Sequence, residues 1–196
     1  MNKKLGLIIA GIEIASVAGL LFLLRQAGTP PKVGIVLVFF LPISFGLHVF
    51  EEFIFPGGGP GWFKLYRPQY AQAYTDSYFF NINAIPLVLS LLVTLGTFDF
   101  AGGFTFFGIR AWLAFLSFQA IQVIFFHVLG IIKTGRYSPG MVTNILLYVP
   151  LTVISFIYLL HTGIVDIVSA VLCVGVGFLI MATLDRIKMA GSNIKA

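Results

Sequence analysis

His48, Glu51 and Glu52 stand within five residues, and together they could carry protons or hold a divalent metal ion. At about 100° per residue on a helix, the three fall within an arc of roughly 100°. They close an apolar run from Val33 to Phe55 and include two of only seven acidic residues in the chain. Charge in so apolar a stretch is costly, and by default it marks a functional site.

The elements that must position this face are membrane helices. Hydrophobic residues make up 59% of the 196 residues and charged residues 10%, against about 25% charge in soluble domains. With mean hydropathy at +1.01, the chain reads as one all-α integral membrane domain over residues 1–196. Six segments approach the ~20 apolar residues that cross a bilayer. They run over about 5–24, 33–55, 77–98, 107–132, 140–160 and 164–184. The first reads as a retained helix, because it contains Glu13 and lacks the small-residue cleavage site of a secretory signal.

Between the second and third segments, Trp62, Tyr66, Tyr70 and Tyr74 recur every four residues. That spacing predicts a short interfacial helix with its aromatics at the headgroups. The preceding Gly57-Gly58-Gly59 lacks the Gly-Lys-Ser/Thr of a phosphate loop and reads as a turn. Thr29-Pro30-Pro31, Asp99 to Gly103 and His161-Thr162-Gly163 mark further turns. Ser138 before Pro139 predicts a capping hydroxyl and a proline at the first position of the fifth helix. A single cysteine, Cys173, excludes a disulfide framework and a cysteine metal cluster.

The net charge of +5 is a matter of topology, not of nucleic-acid binding. Alternating segments put Lys3, Lys4, Lys64, Arg67, Lys133, Arg136, Arg186, Lys188 and Lys195 on one side. Only Arg25, Lys32 and Arg110 fall on the other. This bias predicts both termini in the cytoplasm, for a multi-pass protein of the inner (plasma) membrane. At 1.5 Å per residue, His48 then lies roughly 10 Å inside the cytoplasmic end of its helix, and His127 roughly 8 Å. Asn81, Asn83 and Asn144 open helices on the same side, and Glu13 lies about 12 Å deep. The shared layer predicts a polar cavity at the cytoplasmic leaflet.

These residues carry a resemblance. The chain resembles the HXXEE family of multi-pass bacterial membrane proteins, named for the motif at His48 to Glu52. The family's second histidine and Tyr-x-Pro-Gly motif are matched by His127 and Tyr137-Ser138-Pro139-Gly140, in the expected order from about Leu41 to Asn144. The resemblance implies which residues matter and supplies no reaction.

Three functions suit the pattern. In the first, His48, Glu52 and His127 bind a divalent metal, zinc or else iron or manganese, and leave a position open for water. Glu51 then serves as general base and proton carrier, while Tyr137, Asn81 or Asn144 steadies an oxyanion. That would be a hydrolase or hydratase acting on a lipophilic or amphiphilic small molecule. The second is metal-free acid–base chemistry, an isomerase or cyclase acting on an isoprenoid-like lipid. Adjacent carboxylates would titrate apart there, and aromatic faces would suit a carbocation. The third is a proton- or cation-coupled transporter, which Glu13 favours. The expected partners are the membrane, a lipid or lipophilic substrate and, as an option, a second copy of the chain. Asn81, Asn83, Asn144, Gln119 and Gln122 also suit interhelical hydrogen bonding, and His161 falls at the opposite face.

Overall fold

The computed structural model describes residues 2–26, 32–72, 74–99 and 103–193. The Thr29-Pro30-Pro31 turn and residues 100–102 of the Asp99–Gly103 turn lie outside them. Six helices are long and apolar enough to span a membrane, as the hydropathy pattern requires. They are α1 (Asn2–Gln26), α2 (Lys32–Phe53), α4 (Asp76–Gly96), α5 (Phe106–Thr134), α6 (Met141–His161) and α7 (Ile167–Asn193). A short α3 (Gly59–Tyr66) lies between α2 and α4. Among the described residues the only β-pairing is a bridge between Phe98 and Phe104.

The helices bury small and polar residues beside an apolar core that includes Trp112, Phe39 and Phe79, and they also turn many large apolar residues outward. Ser16, Ser44, Ser90, Thr94 and Ser155 are fully buried, while Leu7, Ile14, Leu21 and Ile157 are exposed. The apolar outer surface is what sets it apart from a soluble bundle, and it suits a solvent as apolar as leucine. Gly177 brings α7 so close to α5 that a Cβ there would sit 2.7 Å from the Phe118 amide.

The most enclosed span is α2, packed by α1, α4 and α6. Pro42 lies inside it and has no N–H to offer the Val38 carbonyl one turn earlier. Trp112 Nε1 on α5 donates to that carbonyl at 3.1 Å, and Thr94 Oγ1 on α4 donates at 3.3 Å. One missing helix bond thus ties three spans together. Trp112→Phe is expected to lower stability by about 1 kcal/mol, read as a lower thermal midpoint in detergent. An unchanged midpoint would mean that the Thr94 hydroxyl satisfies the carbonyl alone.

Two expectations need correction. Of the four aromatics after α2 only Trp62 and Tyr66 share the expected short helix, α3, because Pro68 ends its register and a 3-10 turn, Pro68–Tyr70, follows. Trp62, Tyr66 and Tyr74 are buried, and their rings close over the bundle's end. Ser138 does not cap α6. That helix starts at Met141 after Gly140, and the Ser138 hydroxyl is used elsewhere.

The last span begins at Ile167, three residues later than the hydropathy suggests. Asp166 caps it, accepting from the Ser169 hydroxyl at 2.6 Å and the Ser169 amide at 2.9 Å. These bonds, with Arg110 nearby, hold the Asp166 carboxyl down at about 2.

Candidate functional site

His48 and Glu52 are one turn apart on α2, and both are buried. His48 Nδ1 lies 3.2 Å from the Gly140 carbonyl and 3.2 Å from Thr143 Oγ1. A carbonyl only accepts, so Nδ1 carries the hydrogen and the Nε2 lone pair of neutral His48 is left available. Nε2 lies 3.7 Å from Glu52 Oε2. That separation is too long for a hydrogen bond, and it resembles two ligands flanking one ion at about 2.1 Å each.

His127 reaches the same place from α5. Its turn, Val123–Val128, is widened to a π-helical turn, a distortion common at functional sites. The two imidazoles meet edge to face, with centroids 5.1 Å apart. His127 Nδ1 lies 2.8 Å from the Ser138 hydroxyl, and the Trp62 ring stacks on its face.

Three residues of the Tyr-Ser-Pro-Gly stretch find their partners here. Ser138 holds His127, and the Gly140 carbonyl holds His48. Gly140 has φ +89°, and a Cβ there would collide with the His48 ring, 2.8 Å from Nδ1 and closer still to Cε1. Tyr137 donates its hydroxyl to Glu51 Oε1. Burial of that hydroxyl, then the Glu51 carboxylate, pushes the Tyr137 phenol up to about 12, although half of the ring is exposed. Tyr137 therefore stays a donor at any physiological pH.

Glu51 points away from Glu52. Its oxygens also accept from the amides of Val142, at 3.2 Å, and Thr143, at 2.8 Å. A carboxylate from α2 thus caps the start of α6, where the helix dipole favours negative charge. The structure separates the two adjacent carboxylates, one toward α6 and one toward His48.

Two further side chains, Tyr148 and Trp62, are not revealed by spacing. Tyr148 sits edge-on to His48, with centroids 5.9 Å apart, and its hydroxyl is buried without a hydrogen-bond partner among the described residues. Asn144 Nδ2 and Trp62 Nε1 are in the same condition. Buried polar atoms of this kind are normally satisfied by water or a ligand. Asn144 and Tyr148 lie on a second π-helical turn, Asn144–Tyr148. Pro150, two residues on, cannot complete an ordinary turn there and is the one signal the sequence carries.

Glu52 also faces a cavity of about 210 Å³ bounded by α2, α4, α5 and α7. Its walls are aromatic, with Phe45, Phe63, Tyr74 and Phe126 among them. Asn81, Asn83 and Gln122 add amides to the lining. Asn81 therefore belongs to the cavity, whereas Asn144 is not among its lining residues. The Asn83 amide is already given to the Phe79 carbonyl at 2.7 Å. Among the described residues, no three His, Cys, Asp or Glu side chains converge closely enough to enclose an ion.

Glu13 is not part of this cluster. Its carboxyl fills the space left by Gly46, and Gly46 and His48 face opposite sides of α2 at about 200° apart. His161 lies exposed at the end of α6 farthest from the histidines.

No curated protein and no solved structure matches the chain. The family described as "Protein of unknown function with HXXEE motif" matches residues 39–155. That span runs from α2 into α6 and holds every residue of the His48–His127 cluster. More than half of the chain is covered, and the protein belongs to the HXXEE family.

Proposed function

We propose that the protein is a membrane-embedded enzyme that moves a proton on and off a lipophilic molecule held in the aromatic cavity. The observation that carries this reading is the double exposure of Glu52, which lines the cavity while His48 Nε2 stands 3.7 Å behind it. Glu52 is the group that meets substrate. His48 does not line the cavity and acts through Glu52, exchanging the proton that the carboxyl delivers. Glu51 is held by three donors and serves as the fixed anion that seats α6 against α2. The basic-residue bias puts the site near the cytoplasmic leaflet, with both termini in the cytoplasm.

The reaction this favours is isomerisation. The acid form of Glu52 adds its proton to one end of a double bond, and its carboxylate then removes a proton from a neighbouring carbon. The double bond moves, the acid is regenerated, and no atom is gained or lost overall.

A second reading, metal-assisted hydrolysis or hydration, is favoured by the histidines. Both are tied through Nδ1, as metal-ligating histidines usually are. Bound zinc, iron or manganese would supply an activated water, with His48 and Glu52 holding the ion and His127 beside them.

One experiment separates these readings. Purified protein in D₂O, given a lipid extract of its host, should place deuterium on a lipophilic compound. Labelling that survives a chelator supports acid–base chemistry. Labelling lost to the chelator and restored by zinc, iron or manganese transfers the reading to the metal. No label above a protein-free control would sink isomerisation and hydration, and leave hydrolysis, whose deuterons sit on exchangeable oxygen, and the proton- or cation-coupled transporter.

A further inference from the structure

The cavity's chemistry narrows what it holds. The lining is carboxyl, amide, phenol and hydrocarbon, and none of the lining residues carries a positive charge. Arg67 stays outside the lining, with its guanidinium 4.8 Å from the centre of the Phe126 ring. An anionic headgroup would enter a space whose lining offers no cation and one carboxyl, and would meet repulsion without a compensating partner. Phosphate and carboxylate lipids are therefore poor occupants.

A positive charge finds the opposite. Phe63, Tyr74 and Phe126 cluster on one side, with Phe63 centroids 6.1 Å from Tyr74 and 5.9 Å from Phe126. Aromatic faces attract cations, most strongly where water is excluded. Glu52, stripped of its proton, adds a full negative charge at the same place. Ile85 on α4 and Leu184 on α7 both line the cavity and are exposed on the bundle's outer surface, beside the exposed amide of Asn81. A ligand can thus arrive from the bilayer without its body crossing water.

We propose that the cavity takes an uncharged, unsaturated lipophile and is built to hold the carbocation formed when that molecule is protonated. The inference rests on the acid–base reading above and names its substrate class. In the step itself, the π pair of the double bond takes the Glu52 proton to form a C–H bond. The neighbouring carbon is left cationic between the rings and the new carboxylate. Loss of an adjacent C–H proton to Glu52 forms the shifted double bond. A site complementary to that intermediate binds a stable cation of the same shape more tightly than the neutral compound.

The test uses one branched ten-carbon skeleton with three heads: citronellylamine, citronellol and citronellate. Binding is measured by equilibrium dialysis at neutral pH on the full chain in phosphatidylcholine nanodiscs, with empty nanodiscs subtracted. The ammonium is expected to bind about tenfold or more tighter than the alcohol, and the carboxylate weakest. Glu52→Gln should erase the preference for ammonium and keep alcohol binding. Met181→Trp, which fills the cavity, should remove both.

Carboxylate binding as tight as ammonium would overturn the proposal. So would an ammonium preference unchanged in Glu52→Gln, or ammonium binding that persists in Met181→Trp. If Glu52→Gln fails to fold, the order of the three heads on the wild type and its loss in Met181→Trp decide alone. The measurement involves no turnover. Failure here beside intact, chelator-resistant labelling removes the substrate class only, whereas failed labelling beside a Glu52-dependent ammonium preference removes the reaction.

Discussion

Glu52→Gln is expected to reduce deuterium transfer by about a hundred- to ten-thousand-fold, the range for loss of a positioned acid or base. The amide has the size of the carboxyl, so the close approach of Gly59, whose Cβ would sit 2.8 Å from Glu52 Cγ, is undisturbed. What is lost is the proton that can be given and taken back. His48→Ala should cost less, about ten- to a hundredfold, because the imidazole acts on the carboxyl and not on the substrate. The two variants therefore rank differently under the two readings. On the acid–base reading Glu52 is essential and His48 accessory. On the metal reading either change removes a ligand, and both losses should be similar and accompanied by loss of bound metal. Equal, small effects from both would show that the cluster only holds the helices together.

What could be read from the chain depended on how local the determining physics was. Six spans were legible because burial in lipid requires long apolar runs, and nothing tertiary overrides that requirement. His48, Glu52 and His127 were legible because polar residues in such runs are few, and matching depth brings them to one layer. The divergence of Glu51 from Glu52 was not. A 100° step on a helix says that neighbours point differently, but not which neighbouring element each will meet. Tyr148 and Trp62 were also hidden, since two more aromatics among many carry no signal until a histidine ring lies against them. The regular spacing from Trp62 to Tyr74 misled for a related reason. Period-four aromatics suit an interfacial helix, yet Pro68 stops that helix and the rings cover the site instead. Ser138 looked like a cap because the cap is its commonest role, and a buried histidine offered it a better partner.

Gly140→Ala is the variant expected to do most damage to the structure itself. Two costs combine at this position. The backbone stands at φ +89°, which an alanine adopts only at about 1–2 kcal/mol. The added methyl would also enter the space of the His48 ring and press on His127 Cε1 at 3.2 Å. Neither ring can yield freely, because each is tied through Nδ1. Relief requires that the start of α6 move outward, which takes the Val142 and Thr143 amides away from Glu51. The sum is about 3 kcal/mol or more, and the loss of stability should come with loss of labelling. Gly135→Ala is the matched control, with φ +63° and nothing within 4 Å of its added methyl. It carries the backbone cost without the collision. A thermal midpoint well below that of Gly135→Ala, together with abolished labelling, would show that the glycine is there to let α6 close on the histidines. Equal midpoints in the two variants would mean that backbone conformation alone fixes this residue, and that the contact with His48 is incidental.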